Sequence, residues 1–395
     1  MKPTDVQFVI GLSGYFVKDL EAVRRSPAYD PLRDDIPPCT PGFRSVVQAG
    51  QVISIILHLP CGGIAVGDSV DVIFSGAASR DPLFMAEEHL PVLESVVKPW
   101  LLSCDLSHFR HNAERVDLPW TELHGRRLHS AIRYGLTQAL LAATALAQRR
   151  TIAEVICHEW SLGSIADRPV DILASCHRND ALQLDRMIMK KAPMLPHASF
   201  VHASDIGPHG MVLMDYVDTV ARRIRQRAPP GYHPRLHFDV YARTTLRPPH
   251  RISDHCAKIQ RLAALRACLK RKSIDVRIVA DEWCNTLPDI RDFADADAVD
   301  YVQIKMPDLG GVDQSIDAVL YCQGKGIGCC LGGSANETDV SARITAQVAL
   351  ATRPDFLLSK PGIGADEGLM ILTNEMLRGI ALAKRAHSNP MHYPS

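Results

Sequence analysis

The sequence predicts an α/β fold: a parallel (β/α) barrel with one strand–helix unit truncated, preceded by an N-terminal α+β domain. Three observations carry this. From about Pro169 short apolar strands alternate with amphipathic helices, as in a parallel sheet wrapped by helices. Before that point a meander of β-branched runs is followed by helices. Finally, seven barrel strands are countable where a complete barrel has eight. The expected boundaries are 1–160 for the α+β domain and 161–395 for the barrel.

In the first part, VVQAGQVISIILHLP (Val46 to Pro60) holds β-branched runs broken by glycine and proline, which suits strands joined by turns. RLHSAIRYGLTQALLAATALAQ (Arg127 to Gln148) is strongly apolar over a helical length. The barrel strands are then PVDILAS, HASFVHA, LHFDVY, VRIVADEW, YVQIKM, GCCLGG and FLLSK. Helices are expected at Leu182 to Lys191, Val212 to Gln226, Ile259 to Arg271, Val312 to Gly324, Asp339 to Thr352 and Glu367 to Lys384. The basic run ARRIRQR continues the apolar pattern of Met211, Leu213, Met214, Val217 and Val220, so it reads as a solvated helix face. The irregular stretch is ARTTLRPPHRISDH (Ala242 to His255). TTLR is at best a short strand, because Pro248 and Pro249 block ladder hydrogen bonds.

Composition narrows the function. Hydrophobic content of 46% and charged content of 22% are those of an ordinary globular protein. Lys+Arg and Asp+Glu balance at 44 each, which argues against an electrostatic nucleic-acid or membrane binder. Eleven cysteines without a CxxC pair read as reduced thiols, and Cys329-Cys330 as strand residues. The N-terminus lacks a secretory h-region and the longest apolar stretch is short for a bilayer, so a cytoplasmic protein is expected.

Chemistry is legible where strands end. In YVQIKMPD, strand alternation puts Gln303 and Lys305 on one face and Val302 and Ile304 on the other. If Val302 and Ile304 meet the helices, Lys305 points into the barrel, where it is either a salt-bridged structural lysine or a base of lowered pKa. Asp281 closes the apolar strand of VRIVADEW, and Asn285 or Thr286 is placed to cap the next helix. Asp239 closes LHFDVY likewise. Each aspartate alone suits a loop-capping carboxylate. Together with an inward lysine they suit a hard divalent ion beside a base, an arrangement known from enolase-type sites.

Several stretches resemble the 3-methylaspartate ammonia-lyase family of the enolase superfamily along nearly the whole chain. They are FSGAASRDPLF, RLHSAIRYGLTQA, MLPHA, HFDVY, VADEWCNT, VQIKMPDLGG, LGGSANET and KPGIGADEGLM. The resemblance implies an enolase-type (β/α) barrel whose N-terminal α+β domain caps it. It implies an Mg²⁺-dependent elimination of ammonia from L-threo-3-methylaspartate to give mesaconate, with K⁺ as monovalent activator and a homodimeric assembly. Lys305 matches the base that removes the C3 proton of the (2S,3S) substrate, and His197 the opposite base for the other C3 configuration; an interior hydrogen-bonded histidine is the alternative for His197. Asp239 and Asp281 match two of three Mg²⁺ ligands. Gln303 matches a substrate-carboxylate contact, Ser334 a substrate-holding hydroxyl, and Leu358 an apolar wall. The lysine base takes the C3 proton while Mg²⁺ stabilises the enolate that forms.

Three departures stand out. Ala335 stands where the family has a cysteine, and Ser175 where it has a carboxylate-binding glutamine. After HFDVY the family's helix, strand and third Mg²⁺ ligand, a glutamate, are missing: no Glu occurs between Asp239 and Glu282, and Asp254 is the nearest acidic residue. Two alternatives follow from these departures: an enolase-superfamily lyase or epimerase acting on a related amino acid, and a catalytically impaired homologue.

Overall fold

The computed structural model describes residues 1–25, 36–76, 80–200, 203–240, 252–281, 283–360 and 362–388. Strands β1 (Asp5–Lys18), β2 (Val47–His58) and β3 (Ile64–Val70) form an antiparallel meander in that order. Alternation sets its faces: Ile53, Ile55 and Leu57 are fully buried, while Ser54 and Ile56 between them are half-buried. The buried face packs on the helix Ser130–Gln148, which is buried over most of its circumference. Glycine permits the close approach, since a Cβ on Gly67 would lie 2.2 Å from the Gly135 carbonyl oxygen.

The second sheet is parallel and has seven strands: β4 (Ile172–Leu173), β5 (Met194–Phe200), β6 (Arg235–Val240), β7 (Val279–Ala280), β8 (Tyr301–Lys305), β9 (Gly328–Gly332) and β10 (Phe356–Leu358). Their order is β6-β5-β4-β10-β9-β8-β7. The β4–β10 pairing carries the sheet round into a barrel, and among the described residues the ring is open between β6 and β7. The truncated unit was expected at this place. The TTLR segment lies outside the described residues, as does the side chain of Asp254.

Leu173, Met194, Cys330, Phe356 and Leu358, with Tyr301, fill the interior. The expected helices Val312–Gly324 and Asp339–Thr352 form with those bounds. One strand is displaced: β5 begins at Met194, ahead of the HASFVHA segment expected, because MLP already pairs with β4 and β6. The basic run ends the helix Met211–Arg227, where Arg223 and Arg227 reach Asp185 on the helix Ala181–Met189. That helix departs from expectation, however. Of its apolar stripe only Val220 is buried, and Met211 and Met214 are exposed among the described residues. Among the described residues no helix is long and apolar enough to cross a membrane, and all eleven cysteines are free thiols.

Candidate active site

Lys305 ends β8 as alternation requires. Val302 and Ile304 are fully buried in the main core, while Gln303 and Lys305 turn to the interior. The lysine is paired: its Nζ lies 2.7 Å from Asp281 Oδ1, with the two side chains 11% and 24% exposed. Asp281 directly follows β7, so the ion pair joins neighbouring strand ends and offsets part of the cost of taking both charges out of bulk water. Thr286 caps the next helix, Leu287–Asp295, in a capping box with Asp289.

His197 reaches the same centre by a different route. In the β5–β6 ladder Pro196 faces His237 and Ala198 faces Phe238, so His197 is the unpaired residue of a bulge, at φ +51°. A left-handed histidine is uncommon, and bulges of this kind re-aim side chains next to functional sites. Burial lowers the His197 pKa to about 4, against the pull of Asp281 and with a further push from Lys305, so the three groups share one electrostatic field. Its Nδ1 lies 3.2 Å from Nδ1 of His237, whose pKa burial, and then His197, lower to about 3. His237 and Asp239 lie on one face of β6, and Phe238 between them turns outward to Tyr216. Asp239 Oδ2 accepts a 2.7 Å hydrogen bond from Ser199.

The third wall is the loop after β9. Gly333 must be glycine: a Cβ there would lie 1.5 Å from Glu337 Oε2. Glu337 accepts from Tyr134 at 2.8 Å and from Lys360 at 2.6 Å, and Lys360 also donates to Thr345. Glu337, Lys360 and Tyr134 are completely buried. The Tyr134 phenol is pushed well above its ordinary pKa by burial and then by the Glu337 carboxylate. Ser334 donates to the Asp71 carbonyl at 2.9 Å and accepts from the Asn336 N–H, so its hydroxyl is largely committed to holding this loop. Ala335 beside it offers no polar side-chain atom. Gln303 packs against Gly332, and its Oε1 is 4.0 Å from the Cys330 thiol. Leu358 lines the interior, and the Ser175 N–H donates to Ser359 Oγ at the end of β4. Arg80 forks onto both oxygens of Asp308 and onto Asn285, tying the N-terminal part of the chain to the loops after β7 and β8.

The structure therefore brings Lys305, Asp281 and His197 together, with Gln303 beside the lysine on β8. It does not assemble the expected metal centre. Asp239 and Asp281 stand on opposite edges of the opening, each engaged by a neighbour, and no group of three or more His, Cys, Asp or Glu side chains among the described residues is placed to hold an ion. The described residues do not fit a three-carboxylate Mg²⁺ site. Sequence reasoning missed His237, Arg80 and the Glu337 cluster. Only His237 had a usable signal, since it lies two residues before Asp239 on the same strand face.

Nearly the whole chain is similar to proteins of one family. A family description of the methylaspartate ammonia-lyase N-terminus matches residues 1–161. That of the C-terminus matches two segments, 164–249 and 243–385, which meet at the irregular stretch. Methylaspartate ammonia-lyase 2 of Carboxydothermus hydrogenoformans is 41% identical over 413 positions, covering 98% of this chain and 99% of the relative. Since 98% of 395 residues is about 387, about 26 of those 413 positions face a gap in this chain. The crystal structure of the Citrobacter amalonaticus enzyme containing (2S,3S)-3-methylaspartic acid superposes with a TM-score of 0.89 at 40% identity, covering 97% of this chain and all of that one. The Mg complex of β-methylaspartase from Clostridium tetanomorphum superposes with a TM-score of 0.88 at 37% identity, covering 98% and 100%.

Proposed function

The chain belongs to the methylaspartate ammonia-lyase family, and from that premise we propose that it eliminates ammonia from 3-methylaspartate to give mesaconate, with Lys305 as the base for the (2S,3S) substrate. The observation that carries the reading is the inward Lys305 at the end of β8, held by Asp281 and sharing its field with His197. In its neutral form the amine takes the C3 proton. The electron pair left on C3, delocalised into the adjacent carboxylate, forms the C2–C3 double bond as the C2–N bond breaks. Lys305, now an ammonium, keeps Asp281 as its counter-ion, and His197 stands ready for the opposite C3 configuration. Gln303, Ser334 and Leu358 bound the substrate, while Ala335 and Ser175 supply less polar contact than the family pattern. The same reading carries a homodimer, a monovalent-cation activator and a cytoplasmic site of action. No step is routed through Mg²⁺, because the described residues do not build its site.

A second reading, a catalytically impaired homologue, is favoured by the opening between β6 and β7 and the missing glutamate. Purified protein incubated with (2S,3S)-3-methylaspartate, with and without Mg²⁺ and K⁺, separates the two. Mesaconate absorbance that disappears in Lys305→Ala supports the lyase; no mesaconate under either condition supports the impaired homologue. Turnover of another amino acid instead of this one moves the assignment to a different substrate.

A further inference from the structure

We propose that His237 is a positioning residue that fixes the tautomer of His197. The inference rests on the reading of His197 as the second base. Two Nδ1 atoms 3.2 Å apart share one hydrogen, so one ring donates and the other accepts. A base working on the substrate uses the nitrogen turned away from His237, which is Nε2, and that atom must carry a free lone pair. The proton of a neutral His197 then sits on Nδ1 and is donated to His237, which keeps its own proton on Nε2. The opposite arrangement would make His197 a donor to the site and abolish it as a base.

The surroundings hold this pair in register. His197 is the bulge residue, and the rings meet with centroids 5.0 Å apart at 47°. The His237 ring also packs near Phe356, with ring centroids 6.3 Å apart at 63°. His237 sits on β6, whose alternation aims residues 237 and 239 inward together. The tautomer is thus set by a neighbouring strand and not by the substrate.

The test is long-range ¹⁵N–¹H correlation spectroscopy on ¹⁵N-histidine-labelled full-length protein, with His197 assigned by its loss in His197→Gln. His197 is expected in the Nδ1–H form in the native protein. It should stay so in His237→Asn, whose amide oxygen still accepts, and shift to Nε2–H in His237→Leu. With substrate, His237→Leu is expected to lower the rate on the C3 epimer served by His197 tenfold or more relative to its own (2S,3S) rate. An Nε2–H tautomer in the native protein overturns the proposal, as does an unaltered tautomer in His237→Leu. Should the leucine variant not fold, the native spectrum alone decides. Because the spectra need no turnover, an inactive chain would refute the lyase reading while leaving this assignment open to its own test.

Discussion

Lys305 and Asp239 both end barrel strands, yet they stand in very different company. On the Lys305 side, β8, β9, β10 and β4 each have a hydrogen-bonded neighbour on both flanks. The loop after β9 is locked there by a fully buried Glu337–Lys360–Tyr134 cluster and by Ser334 on Asp71. On the Asp239 side, among the described residues, β6 pairs only with β5 and the two-residue β7 only with β8. Leu236 and Val240 of β6 are exposed. A barrel that loses one strand–helix unit keeps its order wherever strands are flanked twice and weakens at the two new edges. On the reading proposed above, the lost unit takes the third metal ligand with it and spares the proposed base, Lys305, which sits on the twice-flanked side.

This contrast can be broken, and the largest effect should come from Lys305→Ala. Loss of a general base costs about 10²–10⁴ in rate, and mesaconate formation is expected to fall below detection while the variant still unfolds in a cooperative urea transition, with some stability lost because Asp281 loses its ion pair with the lysine. Next is Glu337→Gln, which strands a buried lysine without its counter-ion. A cost of about 3–5 kcal/mol is expected in urea unfolding, and a smaller one would mean that the closed side is less tightly determined than its burial indicates. Isothermal calorimetry should then find Mg²⁺ binding far weaker than in a relative that retains the glutamate; comparable affinity would show a third ligand outside the described residues.

A pH effect should mark the β7 edge. Burial pushes the Asp300 carboxyl up, but the Ile278 N–H and the Arg266 guanidinium outweigh it and hold the pKa below its ordinary 3.8. The unfolded chain therefore takes up this proton first as pH falls. Stability from Asp300 is fully present above the ordinary value and is lost as pH drops through the lower folded one. Asp300→Asn should lower stability near neutrality and flatten the acid limb, the difference from the native chain shrinking as pH falls. The smallest effect belongs to Arg235→Ala, which removes an exposed pair with Asp171 on β6. Urea unfolding should move by about 0.5 kcal/mol or less; a larger change would show that the β6 edge carries more of the fold than its exposure indicates.

Much of this was legible in the chain because it rests on short-range periodicity. Alternation alone aimed Gln303 and Lys305 inward, and the strand–helix rhythm located the truncated unit where the sheet is open. HASFVHA was placed too late because β5 starts within MLP, and no local pattern announces the bulge that puts His197 at positive φ. The expected Mg²⁺ site needed Asp239 and Asp281 to converge with a third carboxylate, and sequence spacing says nothing of which strands end up adjacent.

What the sequence determined by itself was therefore the class of fold, the inward lysine and the absence of a glutamate after Asp239, each readable from residue type and period. Tertiary structure alone decided that Asp281 pairs with Lys305, that His237 meets His197, and that Tyr134 donates a hydrogen bond to Glu337, 203 residues away. Those contacts exist only once the strands have closed side by side, because a hydrogen bond or ion pair depends on distances of about 3 Å that chain separation does not encode.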